Sequence, residues 1–208
     1  MGVEEKISKL HTGLAYGHLN TTLRFDGTTE VDLEMTTTSL AGTWRLNDDW
    51  TLRAGLGRIL EGSLKPESGT TQEVQPGTLY SLGLEYMVST GQDLKPFIHA
   101  TVMFGGSSTT IEDPVAKADG ITDYNSSDLR FNARATWIVN RQVFPYISTS
   151  FFAGPVNWTL DGSEVVGSDI YHYQTALGAA LQLGGVSVFT EWSGIGEKTL
   201  IAGLSYGW

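Results

Sequence analysis

The chain has 208 residues, 17% of them charged and 40% hydrophobic, with a net charge of -10, a mean hydropathy of -0.09 and no cysteine. Its longest apolar stretch, Thr175 to Phe189, is interrupted by Gln182 and by Gly178, Gly184 and Gly185. That falls short of the roughly 18 uncharged apolar residues a spanning helix needs, so a helical membrane protein is excluded. The acidic balance speaks against nucleic acid, whose phosphates call for a basic patch. The missing cysteines mean a fold without disulfide staples.

Residues 1–6 are charged and lack the apolar core of a signal peptide, so a mature chain with its export signal removed is expected. The 25 glycines and 11% aromatics suit strands. A single all-β domain over 1–208 is expected, because no linker or low-complexity segment divides the chain.

In chain order, a first strand is predicted near 9–20, with a facing that its alternation does not settle. Leu40, Gly42, Trp44 and Leu46 then alternate with Ala41, Thr43 and Arg45, and after Asn47-Asp48-Asp49 the pattern resumes with Trp50, Leu52, Ala54 and Leu56 against Thr51, Arg53 and Gly55. This is the period of two that a strand imposes on its faces. Tyr80, Leu82, Leu84, Tyr86 and Val88 oppose Ser81, Gly83, Glu85 and Met87, and Ile98, Ala100, Val102 and Phe104 oppose His99, Thr101 and Met103.

Leu129 to Val139 alternate with Arg130, Asn132 and Arg134, and a turn at Asn140-Arg141 leads to Ile147, Thr149 and Phe151. Tyr171 to Leu183 oppose His172, Gln174, Gly178 and Gln182; Val186, Val188 and Trp192 follow, and Leu200 to Trp208 end the chain. The count is ten. Pro96 and Pro145 sit at strand starts, where a missing N–H is tolerated.

Short turns near 47–49, 89–95, 140–142 and 184–185 alternate with longer polar segments near 21–31, 61–77, 106–127 and 160–169. Short turns on one side and long loops on the other, with an even strand count, are the pattern of transmembrane barrels. Trp44, Trp50, Trp137 and Trp208 flank the short turns, while Tyr80, Tyr171, Phe104 and Trp192 lie toward the long segments, as two interfacial girdles, which also include Tyr86, would. A soluble barrel with the apolar face inside would leave Arg53, Glu85, Arg134 and Glu191 in water, but confinement of charge to turns, loops and one face favours the membrane reading.

The last residues, Gly203-Leu204-Ser205-Tyr206-Gly207-Trp208, place a glycine, a hydrophobe and a terminal aromatic at fixed spacing. This ending resembles the insertion signal of bacterial outer-membrane β-barrels, in Gly203, Tyr206 and Trp208, with Ile201 departing from the family's usual polar residue. Over its full length the chain resembles the small porin-like barrels. The resemblance implies an all-β, transmembrane, antiparallel up-and-down barrel of about ten strands in the bacterial outer membrane, with periplasmic termini and extracellular long loops. It implies as partners outer-membrane lipid, lipopolysaccharide and the barrel-insertion machinery. A monomer is expected.

With the apolar face toward lipid, the lumen would be lined by Arg45, Arg53, Glu85, His99, Arg130, Arg134, His172, Gln174 and Glu191. Arg53–Glu85 and Arg134–Glu191 are the expected lumenal pairs, since buried charge is costly unless paired or wet. Glycines Gly55, Gly57, Gly83, Gly178 and Gly203 would widen the bore locally. Ten strands lie near the filled end of the barrel series, which leaves a narrow passive pore for ions or small solutes, or a plugged structural or adhesive barrel.

Outer-membrane lipid-modifying enzymes and the ten-stranded omptin proteases are also similar in size class or strand count. No orienting acid is evident near His99 or His172 beside Ser148 or Ser150, so no catalytic residue and no enzymatic activity are expected. No motif points to a cofactor or a metal.

Overall fold

In a computed structural model, which describes residues 9–67, 69–91, 95–112, 120–139, 142–160 and 163–208, the period-two segments form antiparallel strands throughout. They are β1 (Leu10–Phe25), β2 (Thr29–Arg45), β3 (Trp50–Pro66), β4 (Gln72–Val74), β5 (Gly77–Thr90), β6 (Phe97–Glu112), β7 (Ile121–Thr136), β8 (Val143–Ala153), β9 (Val156–Leu160), β10 (Ser163–Asp169), β11 (Tyr173–Leu183), β12 (Val186–Gly196) and β13 (Lys198–Gly207).

Three pairs are single staves with a break. β4 and β5 keep one register against β3, through Gly62↔Val74 and Ile59↔Gly77, and are separated only by Gln75 and Pro76, whose missing N–H cannot serve a ladder. β8 and β9 likewise share one register on β7, Leu129↔Ala153 and Ser126↔Val156, around Gly154-Pro155. β10 runs into β11 through residues 170–172. The staves therefore number ten, and β13 pairs with β1 from Gly207↔His11 to Lys198↔Asn20, which closes the barrel.

The closure has two tiers. β12 and β13 meet at Glu197, well below the ends of their neighbours. Above that hairpin β10 pairs directly with β1, as in Leu23↔Asp169 and Phe25↔Gly167, while β4 fills the place of β5 between β3 and β6. Eight strands, β1, β2, β3, β4, β6, β7, β9 and β10, thus close a narrower ring at the end opposite the short turns.

The hydrophobic pattern changes phase between the tiers. On β2 the outward residues of the ten-stranded tier are Leu40 and Trp44, and the inward ones Ser39 and Thr43; on the same strand higher up, Glu30, Asp32 and Glu34 face out and Val31, Leu33 and Met35 are buried inside. β1 makes the same change between Leu14 and Leu23. Apolar residues face outward where the outside is apolar and inward where it is water, so the change marks the edge of the hydrocarbon band. Inside the narrow ring Leu23, Phe25, Val31, Leu33, Ile59, Leu64, Val74, Ile111, Tyr124, Val156 and Trp158 pack into one core, with Met35 at its lower edge. An eight-stranded bore is just wide enough for side chains to fill.

This corrects the expected long polar loops. Most of 21–31, 61–77, 106–127 and 160–169 is strand, polar outside and apolar inside, with residues 68, 113–119 and 161–162 outside the described set. Between β1 and β2 the chain reverses at Asp26 (φ 49°) and Gly27 (φ 74°), the Asp-Gly pair that tight hairpins favour, with Thr28 N–H donating to Phe25 O at 3.1 Å. The turn expected at Asn140-Arg141 also lies outside the described residues.

Candidate functional site in the barrel interior

Side chains of the inward parity converge on the bore in successive layers. Nearest the short turns is a vestibule of 720 Å³ bounded by His11, Thr43, Arg45, Arg53, Glu85 and His99. Arg45 lies at its rim, its Nε donating to Asn47 O at 3.1 Å and its Nη2 to Asp48 Oδ1 at 3.1 Å. The turn beneath is fixed by Asn47, whose Oδ1 accepts the N–H groups of Asp49 and Trp50, both at 2.9 Å.

Above the vestibule the expected ion pairs are formed. Arg53 Nη2 lies 2.7 Å from Glu85 Oε2, and His99 Nδ1 lies 3.3 Å from Glu85 Oε1. Thr101 Oγ1 donates to the same carboxylate at 3.4 Å. Arg134 Nη2 donates to Glu191 Oε2 at 3.2 Å, and its guanidinium lies over the Tyr146 ring at 4.4 Å. These carboxylates neutralise cations whose desolvation would otherwise be costly. The buried Nε atoms of Arg53 and Arg134 have no partner among the described residues.

The third layer centres on Arg130, whose principal partner was not legible in the sequence. Its Nη1 and Nη2 donate to the two oxygens of buried Glu197 at 3.0 and 3.3 Å, a fork that satisfies carboxylate and guanidinium together. Gln174 Oε1 accepts from Nη1 at 3.3 Å and Asp128 Oδ2 from Nε at 3.4 Å, while the guanidinium covers the Phe152 ring at 4.2 Å. Gln174 Nε2 donates to Thr199 Oγ1 at 2.8 Å. Glu197 stands at the β12–β13 turn, where Ser193 Oγ donates to its carbonyl at 2.8 Å and Gly196 takes φ 77°.

His172, exposed at the break between β10 and β11 with φ 53°, lines the interior chamber beside Asp169, Glu197 and Arg130. One expectation about the lumen needs correcting. Gly178 and Gly203 do not widen the bore, because neighbouring side chains occupy their space, whereas Gly55 and Gly57 border an open chamber. A side chain at Gly178 would strike the Tyr146 ring, and one at Gly203 would meet Phe189 Cζ at 2.6 Å.

Trp44, Trp50, Tyr80, Tyr86, Trp192 and Trp208 are exposed on the outer wall, whereas Trp137 and Tyr171 are half-buried. Trp50 and Tyr86 meet in a tilted pair at 4.8 Å between centroids near the short turns, and Tyr80 and Phe104 in another at 6.1 Å near the upper edge of the band. At the chain end, Trp208 N–H donates to Leu10 O at 2.9 Å and its indole Nε1 to Thr12 Oγ1 at 3.2 Å, so the terminal aromatic fastens the seam. Tyr206 meets Trp208 edge to face at 4.9 Å. Among the described residues no group of three or more His, Cys, Asp or Glu could hold a metal ion.

The chain is similar in architecture to several solved outer-membrane proteins. The outer membrane protease OmpT from Escherichia coli matches with TM-score 0.60 at 10% identity, over 100% of this chain and 99% of that one. The translocator domain of the autotransporter NalP from Neisseria meningitidis gives 0.55 at 12%, over 100% and 91%. The outer membrane protein OprG from Pseudomonas aeruginosa gives 0.50 at 10%, over 100% and 99%. No protein-family model and no curated protein matches the sequence.

At these identities the likeness is one of fold, and the fold is that of the small bacterial outer-membrane β-barrels. The expectation that the chain is not an enzyme is overturned by the protease, because the same fold houses catalysis and cannot serve to exclude it.

Proposed function

We propose that this protein is a closed outer-membrane barrel, whose wall seals the bore rather than conducting solute through it. The observation that carries this reading is the apolar core filling the eight-stranded ring, with Ile59 and Leu64 fully buried at its centre. Of the two readings open from the sequence, a narrow pore and a plugged barrel, the core favours the second. Water and ions crossing it would have to pass a predominantly apolar plug, in which the few buried hydroxyls, such as Thr109, are side chains of the wall. The ion pairs below leave few lumenal charges free to solvate a permeant ion.

In this reading the short turns and both termini face the periplasm, and the narrow ring, with Glu30, Asp32, Glu61 and Glu73 on its outer wall, stands outside the cell. Trp44, Trp50, Tyr80, Tyr86, Trp192 and Trp208 mark the interfaces with lipid, and lipopolysaccharide surrounds the ring's base. Gly203, Tyr206 and Trp208 form the segment read by the insertion machinery. The barrel acts as a monomer, since its wall closes on itself through β1 and β13 and, among the described residues, the membrane tier leaves no strand edge to pair.

The native chain has no cysteine, so single-cysteine labelling gives a clean test. Thr43→Cys in the vestibule and Thr28→Cys at the exposed β1–β2 turn are treated with a membrane-impermeant maleimide on intact cells. Thr28→Cys reacts and Thr43→Cys reacts only after the outer membrane is permeabilised. Fast labelling of Thr43→Cys in intact cells refutes closure, and protection of Thr28→Cys reverses the orientation.

A further inference from the structure

Between the charged layers and the apolar core lies a chamber of 380 Å³ that the closed-barrel reading does not use. Its volume falls at the lower end of the range of small-molecule sites. Its sides are apolar in a stretch of bore where a water-filled lumen would be polar: Leu19, Leu79, Met35, Met103 and Phe152 all face it. These side chains offer the apolar body of a ligand a surface to cover, and its burial there is favourable.

Hydroxyls of Thr21, Ser39, Ser81, Ser107 and Ser126 line it from several strands, and its ionised groups are predominantly anionic. Asp128, Asp169 and Glu197 line the chamber against the single cation Arg130, three negative charges to one positive, a formal balance of -2 with His172 neutral. Arg130 is already engaged with Glu197 and Asp128. Asp169 has no cationic partner among the described residues; it accepts the Thr21 hydroxyl and, at 2.7 Å, the N–H of Tyr171. Tyr124 faces the same chamber at 1% exposure, and its hydroxyl has no hydrogen-bond partner among the described residues. The hydroxyl is therefore open to the chamber and available to a polar group that arrives with a ligand.

We propose that this chamber binds a small cationic amphiphile, its ammonium head between Asp169 and the Tyr124 hydroxyl and its apolar body along Leu19, Leu79, Met35 and Met103. The ammonium donates to the free lone pairs of Asp169 and of Tyr124 Oη, and the surplus negative charge disfavours carboxylate-headed amphiphiles of the same length. This goes beyond closure of the barrel: a sealed bore requires no ligand, and a ligand in the chamber requires no conductance.

The methionines supply built-in reporters, because Met35 and Met103 line the chamber while Met87 lines the vestibule. In lipid nanodiscs, ¹³C-methyl methionine spectra of the refolded full chain are titrated with octylamine, octanol and octanoate. Octylamine shifts Met35 and Met103 saturably and leaves Met87 in place, with octanoate at least tenfold weaker. Asp169→Asn weakens octylamine at least tenfold with little change for octanol, and Met103→Trp, which fills the chamber, abolishes both. Folding of each variant is read from the unchanged Met87 methyl and from heat-modifiable migration. Equal binding of octanoate, indifference to Asp169→Asn in the folded barrel, or unsaturable shifts of all three methyls overturns the proposal.

Discussion

The sharpest consequence of the phase change is that one substitution should cost very differently in the two tiers. Leu82 is 57% exposed on the outer wall between the Tyr86 and Tyr80 levels, and Val166 is 52% exposed on the outer wall of the narrow ring. Surface exposure alone predicts equal tolerance of arginine. If Leu82 faces hydrocarbon, Leu82→Arg costs about 2–4 kcal/mol, the figure for arginine near the midplane of a barrel wall. That is roughly thirty- to seven-hundred-fold in the folding equilibrium at about 1.4 kcal/mol per decade. Val166→Arg, facing water, stays within about 0.5 kcal/mol. Urea titration of tryptophan fluorescence in phospholipid vesicles measures both. Equal costs at the two sites would refute the assignment of the phase change to the membrane edge.

Other consequences follow from particular contacts. Trp158→Ala removes a ring that is tilted against Phe25 at 5.6 Å and donates its Nε1–H to Thr122 at 2.9 Å, and it should lower stability by about 3–5 kcal/mol in the same titration. Gly203→Val must displace the Phe189 ring and the backbone of β1, costing about 1–3 kcal/mol with slower heat-stable folding on gels. Glu191→Ala strands Arg134 and should cost about 1–3 kcal/mol, while Glu191→Leu with Arg134→Met recovers most of it; a double variant as unstable as the sum of its singles argues against a pair.

The wall of the membrane tier was legible because lipid outside and a polar bore inside enforce strict alternation: Leu40 and Leu56 were expected on adjoining strands with one facing, and they pair directly. Arg53–Glu85 and Arg134–Glu191 were legible for the same reason, as inward charges of opposite sign. The narrow ring was misread as loops because its outward residues, such as Arg24, Glu30 and Asp32, give it a polar average. Its period is still two, with Leu23, Phe25, Val31 and Leu33 on the hidden face. Asp26-Gly27 was the available signal for the tight reversal.

Glu197 escaped notice because a charged residue in a hairpin turn is ordinarily solvated. Only the early end of β12 and β13, beneath taller neighbours, turns it inward onto Arg130. The first strand's facing was undecided because its inward positions Gly13, Ala15 and Gly17 are small and weakly patterned. Pairing with both β2 and β13 decides it. The small inward residues themselves were misjudged: Gly178 accommodates Tyr146 from the facing strand, a relation that no single-strand pattern contains.

Single-channel recording of the refolded protein in a planar bilayer tests closure most directly, with insertion verified in vesicles and folding verified by heat-modifiable migration. The wild-type barrel is predicted to be silent, and Ile59→Gly with Trp158→Gly, which cuts into the core, to give discrete steps. Discrete wild-type steps whose ion selectivity changes in Glu85→Ala or Arg134→Ala would establish a continuous pore and contradict the account.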